Sequence, residues 1–202
     1  MKRRLAALAA AALAVCICTA MAFQEETRSV SQGLLRLHVV AATGSEEDLE
    51  RKEAVRDAVL AEWFADPSED LEATLRYARA HLADIRATAE EALRSMGCDD
   101  GVTVRLGREF LPEKHYEGFA LPAGEYETLR VTVGKGEGSN WWCVLFPPLC
   151  VAPASAVAET AREAGISQSG WKLMSSDGTE VRVRFRIAEL FAKLEQKLRK
   201  KG

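Results

Sequence analysis

The sequence predicts an α+β domain, a small sheet of about four strands with amphipathic helices packed on it, and three observations lead there. Side chains alternate around residues 34–41, 102–106, 129–133 and 181–187, the period of a strand with one buried face. Two long stretches between the first and second of these runs carry apolar residues at steps of three and four, the period of a helix. The order strand, two helices, strands, helix, strand, helix lacks the regular alternation of a parallel βαβ fold. At 202 residues the chain has the length for one ordinary core, so residues 34–202 are read as a single domain.

Residues 1–22 have the three parts of a secretory signal: a basic start (Lys2, Arg3, Arg4), an apolar run over 5–17, and the small-x-small triplet Ala20, Met21, Ala22. Cleavage is expected after Ala22, because small side chains fit the signal peptidase pockets. The alternative is a retained membrane tether, since residues 5–23 supply about 19 mostly apolar positions, although their alanine content makes a weak anchor. Lipid attachment at Cys16 or Cys18 is disfavoured, because Val15 and Ile17 stand where a small residue is required. Residues 23–33 are read as a short linker. Without Lys2, Arg3 and Arg4 the chain carries 24 basic against 30 acidic residues, which argues against a nucleic-acid partner.

In the first strand, 34–41, Leu35, Leu37 and Val39 face the core and Arg36, His38 and Val40 face away. Ser45 with Asp48 three residues on forms a capping pair, and Glu46 and Glu47 suit the helix dipole, so a helix is expected over 46–64. Val55, Val59 and Trp63 are its core stripe, and Glu50, Arg51, Lys52, Glu53, Arg56 and Asp57 its wet side. Pro67 and Ser68 start a second helix that runs to Gly97 through Leu71, Leu75, Ala78, Leu82, Ile85, Ala89, Ala92 and Met96. The same spacing suits a coiled-coil seam, but its later alanines favour packing on the chain's own sheet. His81 lies off the stripe and is read as solvated.

Val102, Val104 and Leu106 define the next strand. Leu129, Val131 and Val133 define another after the turn residues Pro122, Ala123 and Gly124. An Ala-rich helix over 154–164 follows. Gly165, Gly170, Asp177 and Gly178 are then read as a turn-rich separator before the strand 181–187. Leu190, Phe191, Leu194 and Leu198 outline a closing helix.

The least ordinary segment is 134–150, where Gly134, Gly136 and Gly138 precede Trp141, Trp142, Phe146, Pro147, Pro148 and Leu149. Its glycine spacing matches neither a phosphate loop nor a dinucleotide loop. Either it is a protruding apolar patch on a flexible glycine run, or it is a buried strand and turn. If extended, Trp141 and Trp142 point to opposite faces.

Cys143 and Cys150 flank the prolines at a distance a disulfide can bridge in an exported protein. A free Cys143 thiol with His38 or His115 as base is the catalytic alternative, that of an exported hydrolase of envelope material. No grouped ligand set points to a metal, and no motif points to another cofactor.

Several stretches resemble the stage II sporulation protein R family. They are Arg36-Leu37-His38-Val39-Val40-Ala41, Val55-Arg56-Asp57-Ala58-Val59-Leu60, Leu121-Pro122-Ala123-Gly124-Glu125-Tyr126, the run from Asn140 to Cys150, and Arg184-Phe185-Arg186-Ile187. One departure is Ala42-Thr43-Gly44, where the family commonly carries an Asn-Ser pair. The resemblance implies a non-enzymatic signal secreted from the forespore into the space between forespore and mother cell. There the family activates a membrane-embedded aspartic protease of the stage II sporulation protein GA type, which processes the sigma-E precursor. The expected contact is formed by Trp141, Trp142, Phe146, Pro147, Pro148 and Leu149, supported by Arg36 and His38.

Overall fold

The computed structural model describes residues 2–65, 70–149 and 155–175. They fall into two compact units, one from Gln32–Phe110 and Glu125–Ile166, the other from the described parts of Met1–Ser31, Leu111–Gly124 and Ser167–Gly202. With six helices, a mixed four-stranded sheet and a two-stranded one among the described residues, the fold is α+β, as the sequence predicts.

The larger unit is built on strands β1 (Leu35–Val40), β2 (Val102–Leu111), β5 (Gly124–Val133) and β6 (Asn140–Phe146), in the order β2-β5-β1-β6. β1 runs parallel to β5 and antiparallel to β6, so Leu37 stands beside Leu129 and Cys143, and Val39 beside Val131 and Trp141. Because side chains alternate, Leu35, Leu37, Val39, Leu129, Val131, Cys143 and Leu145 share one face. Three helices cover it: α2 (Glu46–Trp63) with Val55 and Val59, α3 (Leu71–Ala80) with Leu75 and Ala78, and α4 (Leu82–Ser95) with Ile85, Ala89 and Leu93. Each fully buried Leu or Ile contributes roughly 1.5–3 kcal/mol, so this layer carries the unit's hydrophobic stability.

α2 starts where its capping pair indicates. Ser45 Oγ accepts the Asp48 N–H at 3.2 Å, the Thr43 hydroxyl donates to Asp48 at 2.5 Å and Arg51 donates to it at 2.8 Å. The Thr43 and Arg51 hydrogen bonds hold the Asp48 carboxyl below the ordinary carboxylate range. α4 is closed by Gly97, two residues past its end, which takes φ +70° and so lets the Cys98 N–H close onto the Leu93 carbonyl.

Several expectations are corrected. β1 is buried on both faces, because it is an interior strand and its polar alternates are covered by neighbours on the sheet. The helix expected over 68–97 is two helices, broken at His81 (φ −112°, ψ 19°). There the ring packs 4.5 Å from Tyr77 and 5.3 Å from Trp63 while Nδ1 bonds the Tyr77 carbonyl, so His81 is half-buried rather than solvated. The core stripe survives the break as far as Ala92 because both helices continue it, but Met96, expected as its last member, lies past the end of α4 and is exposed. Lys52, expected on the wet side of α2, is 5% exposed.

In the second unit, α1 (Lys2–Gln32) runs continuously through residues expected as signal and linker. β3 (Lys114–Tyr116) and β4 (Phe119–Leu121) form a hairpin that the period-two reading did not single out; its turn glycine, Gly118, takes φ +83°. α6 (Gln168–Ser175) replaces the separator expected there, because Ser167 caps it, accepting the Gly170 N–H at 3.0 Å, and Leu173 and Met174 become buried. α5 (Val157–Glu163), in the larger unit, matches the Ala-rich helix. No helix among the described residues is long and apolar enough to cross a membrane. The strand expected at 181–187 and the closing helix lie outside the described residues.

Candidate functional site

The sheet face opposite the helices carries the polar alternates of the same strands. His38 stands beside Arg130 on β5 and Trp142 on β6, and Arg36 beside Thr128 and Val144. A charge cluster results. His38 Nδ1 lies 3.0 and 3.1 Å from the two Glu109 carboxylate oxygens, and Nε2 lies 2.7 Å from the Asn140 side-chain amide. Arg130 donates to Glu109 at 2.6 Å and to Thr132 at 3.2 Å. The Trp142 ring covers His38 at 5.6 Å, and the buried Arg36 guanidinium lies over the Tyr126 ring at 4.9 Å.

The electrostatics follow from this packing. Burial acts to raise the Glu109 pKa, but the hydrogen bonds and charges of His38 and Arg130 outweigh it and hold the carboxyl below its ordinary range. His38 is 4% exposed with both ring nitrogens in contact with side-chain partners, which fixes the ring.

The aromatic segment is divided by the pleat. Trp141 lies on the helix-covered side, 36% exposed, with the Arg56 guanidinium 4.3 Å above its ring, while Trp142 turns to the opposite face and is half-buried. The two indoles therefore do point to opposite faces. Phe146, Pro147 and Leu149 are buried and Pro148 is half-buried, so the surface offered by this segment is confined to Trp141, Trp142 and Pro148. Arg36 and His38 support it from within rather than on the surface. The Phe146–Pro147 peptide is cis.

The glycine run before β6 is a packed loop rather than a flexible one. Glu137 and Gly138 donate their N–H groups to Ala42 and Ala41, and Ser139 accepts from the Ala41 N–H. Lys52 donates to Ser139 Oγ at 2.8 Å, and removal from water lowers the Lys52 pKa.

The Cys143 and His38 pairing needed for the hydrolase reading is not formed. Cys143 aligns with Leu37 on the apolar face and is 1% exposed, whereas His38 aligns with Trp142 on the other, so the sheet itself separates thiol and imidazole. His115 is exposed and paired with Glu113 at 2.7 Å. Cys150 lies outside the described residues, and its pairing with Cys143 with it. Among the described residues no group of three or more His, Cys, Asp or Glu is placed to hold a metal ion.

Sequence reasoning missed Glu109, Arg130, Asn140, Lys52 and Arg56. The first three sit at alternate strand positions, and that alternation is the signal that places them on the face of His38 once the strand order is known.

A family model described as Stage II sporulation protein R (spore_II_R) matches residues 31–156, which hold the whole four-stranded sheet and the three helices over it, and this makes the chain a sporulation protein. It belongs to the Stage II sporulation protein R family. The Stage II sporulation protein R of Bacillus subtilis (strain 168) is 36% identical over 135 residues, which are 65% of this chain and 60% of that relative's length. No solved structure matches.

Proposed function

We propose that the protein is an exported sporulation signal that switches on a membrane-embedded aspartic protease of the mother cell, of the stage II sporulation protein GA type, and so leads to processing of the sigma-E precursor. Export is supported by the signal-like residues 1–22, with release into the space between forespore and mother cell. Family membership supports the role in sporulation. The observation that carries the contact is Trp141, the large apolar side chain that stays exposed at the start of a strand whose last four residues are buried. Exposed indoles at the rim of a rigid element are common anchors of protein contacts. A ligand of this kind activates by binding the protease's active form more tightly than its resting form.

The test is co-expression of the chain with the protease and the precursor in a non-sporulating host. Cleavage is expected with the full chain and not without residues 1–22. Joint replacement Trp141→Ala and Trp142→Ala is expected to reduce cleavage on the order of tenfold or more at equal protein abundance. Wild-type cleavage by that double variant would remove this segment as the contact.

The same reading pairs Cys143 with Cys150 across the prolines, which suits an oxidising extracytoplasmic space. In denaturant without reductant, an alkylating reagent is expected to label Cys98 and to spare Cys143 until the protein is reduced. Immediate labelling of Cys143 would show a free thiol.

A further inference from the structure

Two cations on α2 meet the segment 139–141 from the helix side. Lys52 donates to Ser139 Oγ at 2.8 Å, and Arg56 stacks 4.3 Å above the Trp141 ring while holding Asp57 through Nε at 2.7 Å and Nη2 at 2.9 Å. The spacings match. Residues four apart on a helix are separated by about 6 Å along its axis, and residues two apart on a strand by about 6.6 Å. One helix face therefore engages the last loop residue before β6, Ser139, and the strand residue two positions on, Trp141. Ser139 is also held by the Ala41 N–H, so the lower point of contact is tied to β1's end as well as to α2. Asp57 offsets the charge of Arg56 and orients its planar group, and the guanidinium covers one face of the exposed indole.

We infer that Lys52 and Arg56 are positioning residues that clamp the glycine loop and the Trp141 indole to α2, presenting that ring to the partner in one orientation. This rests on the proposed role of Trp141 in the contact. A preoriented ring loses less side-chain entropy on binding, so the clamp acts on affinity. Arg56 therefore works through Trp141 and needs no contact of its own with the partner.

The full chain, co-expressed with the protease and the precursor at graded abundance, tests this. Arg56→Ala is expected to require about threefold more protein for half-maximal cleavage, the size of an exposed cation–π contact. Arg56→Lys, which keeps the charge and loses the flat stack, falls between the two. Lys52→Met shifts the same curve in the same direction.

Two readouts separate positioning from a general effect on the fold. The thermal midpoint of Arg56→Ala stays close to that of the wild type, and in a Trp141→Ala background Arg56→Ala has no further effect. A wild-type curve for Arg56→Ala, a threefold loss that adds in full to Trp141→Ala, or a cleavage loss that only follows a lowered midpoint would each overturn the inference while leaving the contact in place. Full activity of Trp141→Ala would overturn the contact itself, and the clamp with it.

Discussion

Gly138→Ala is expected to lower stability by more than about 3 kcal/mol and the thermal midpoint by roughly 6–12 °C. A β-carbon at Gly138 meets the Thr43 carbonyl oxygen at 1.9 Å, its carbon at 2.5 Å and the Ala41 β-carbon at 2.9 Å. Two of these are main-chain atoms, and they cannot turn aside as a long side chain does. Gly138 also donates its N–H to the Ala41 carbonyl, so relief by moving the loop costs that bond and the neighbouring one from Glu137 to Ala42. The control is Gly44→Ala, where nothing lies within 4 Å of the added carbon, with an expected change within about 0.5 kcal/mol. Thermal unfolding followed by circular dichroism compares the two. Equal midpoints would show that the loop is pliant after all.

The second large effect is expected at His38. Replacement by alanine empties a buried site and deprives Glu109 and Asn140 of a hydrogen-bond partner, a combined cost of roughly 3 kcal/mol near pH 7. Its pH dependence has a definite sign. The pKa of Glu109 is lowered in the folded chain, so its contribution to stability is present above the ordinary carboxylate value and is lost as pH falls through the folded value. His38 is a principal cause of that lowering, opposed by burial. Without the ring the folded and unfolded values of Glu109 draw together, and less of the variant's stability depends on that proton. The gap between wild type and His38→Ala is therefore expected to narrow on acidification, as read from urea midpoints at about pH 7 and about pH 4. A gap that stays constant or widens would show that His38 is not what holds the Glu109 carboxyl below its ordinary range.

The two sites differ in how visible they are in the sequence. His38 was legible as a polar position inside a strand pattern, and its partners lay hidden because Glu109 is 71 residues away and Asn140 is 102. Only a strand order that brings β1 between β5 and β6 puts Arg130 and Trp142 beside it. Composition leaves the glycine run open between a flexible loop and a packed turn, because it counts glycines and is blind to what packs against them. Periodicity places Lys52 and Arg56 on the wet side of α2 for a related reason. Helical periodicity gives the angle of a side chain around its own axis, and the neighbouring strand edge that fills that angle comes from elsewhere in the chain.

Local chemistry is more legible in the sequence. Ser45 and Asp48 cap α2, Gly97 closes α4 and the alternation of β2 and β5 stands, because each depends on residues within a few positions of one another. The break at His81 and the helix α6 went unseen although their caps are local, since the first is stabilised by Trp63 from another helix and the second hides behind a glycine. By itself, then, the sequence determined the α+β class, the apolar face of the sheet, the start of α2 and the close of α4, and, for an extended β6, the opposed directions of Trp141 and Trp142. All of these follow from backbone period and short-range hydrogen bonding. The tertiary structure alone decided that His38 closes a charge cluster with Glu109 and Arg130, that the sheet separates it from Cys143, and that Arg56 covers Trp141. Those relations depend on strand order and on helix placement over the sheet, which no local pattern encodes.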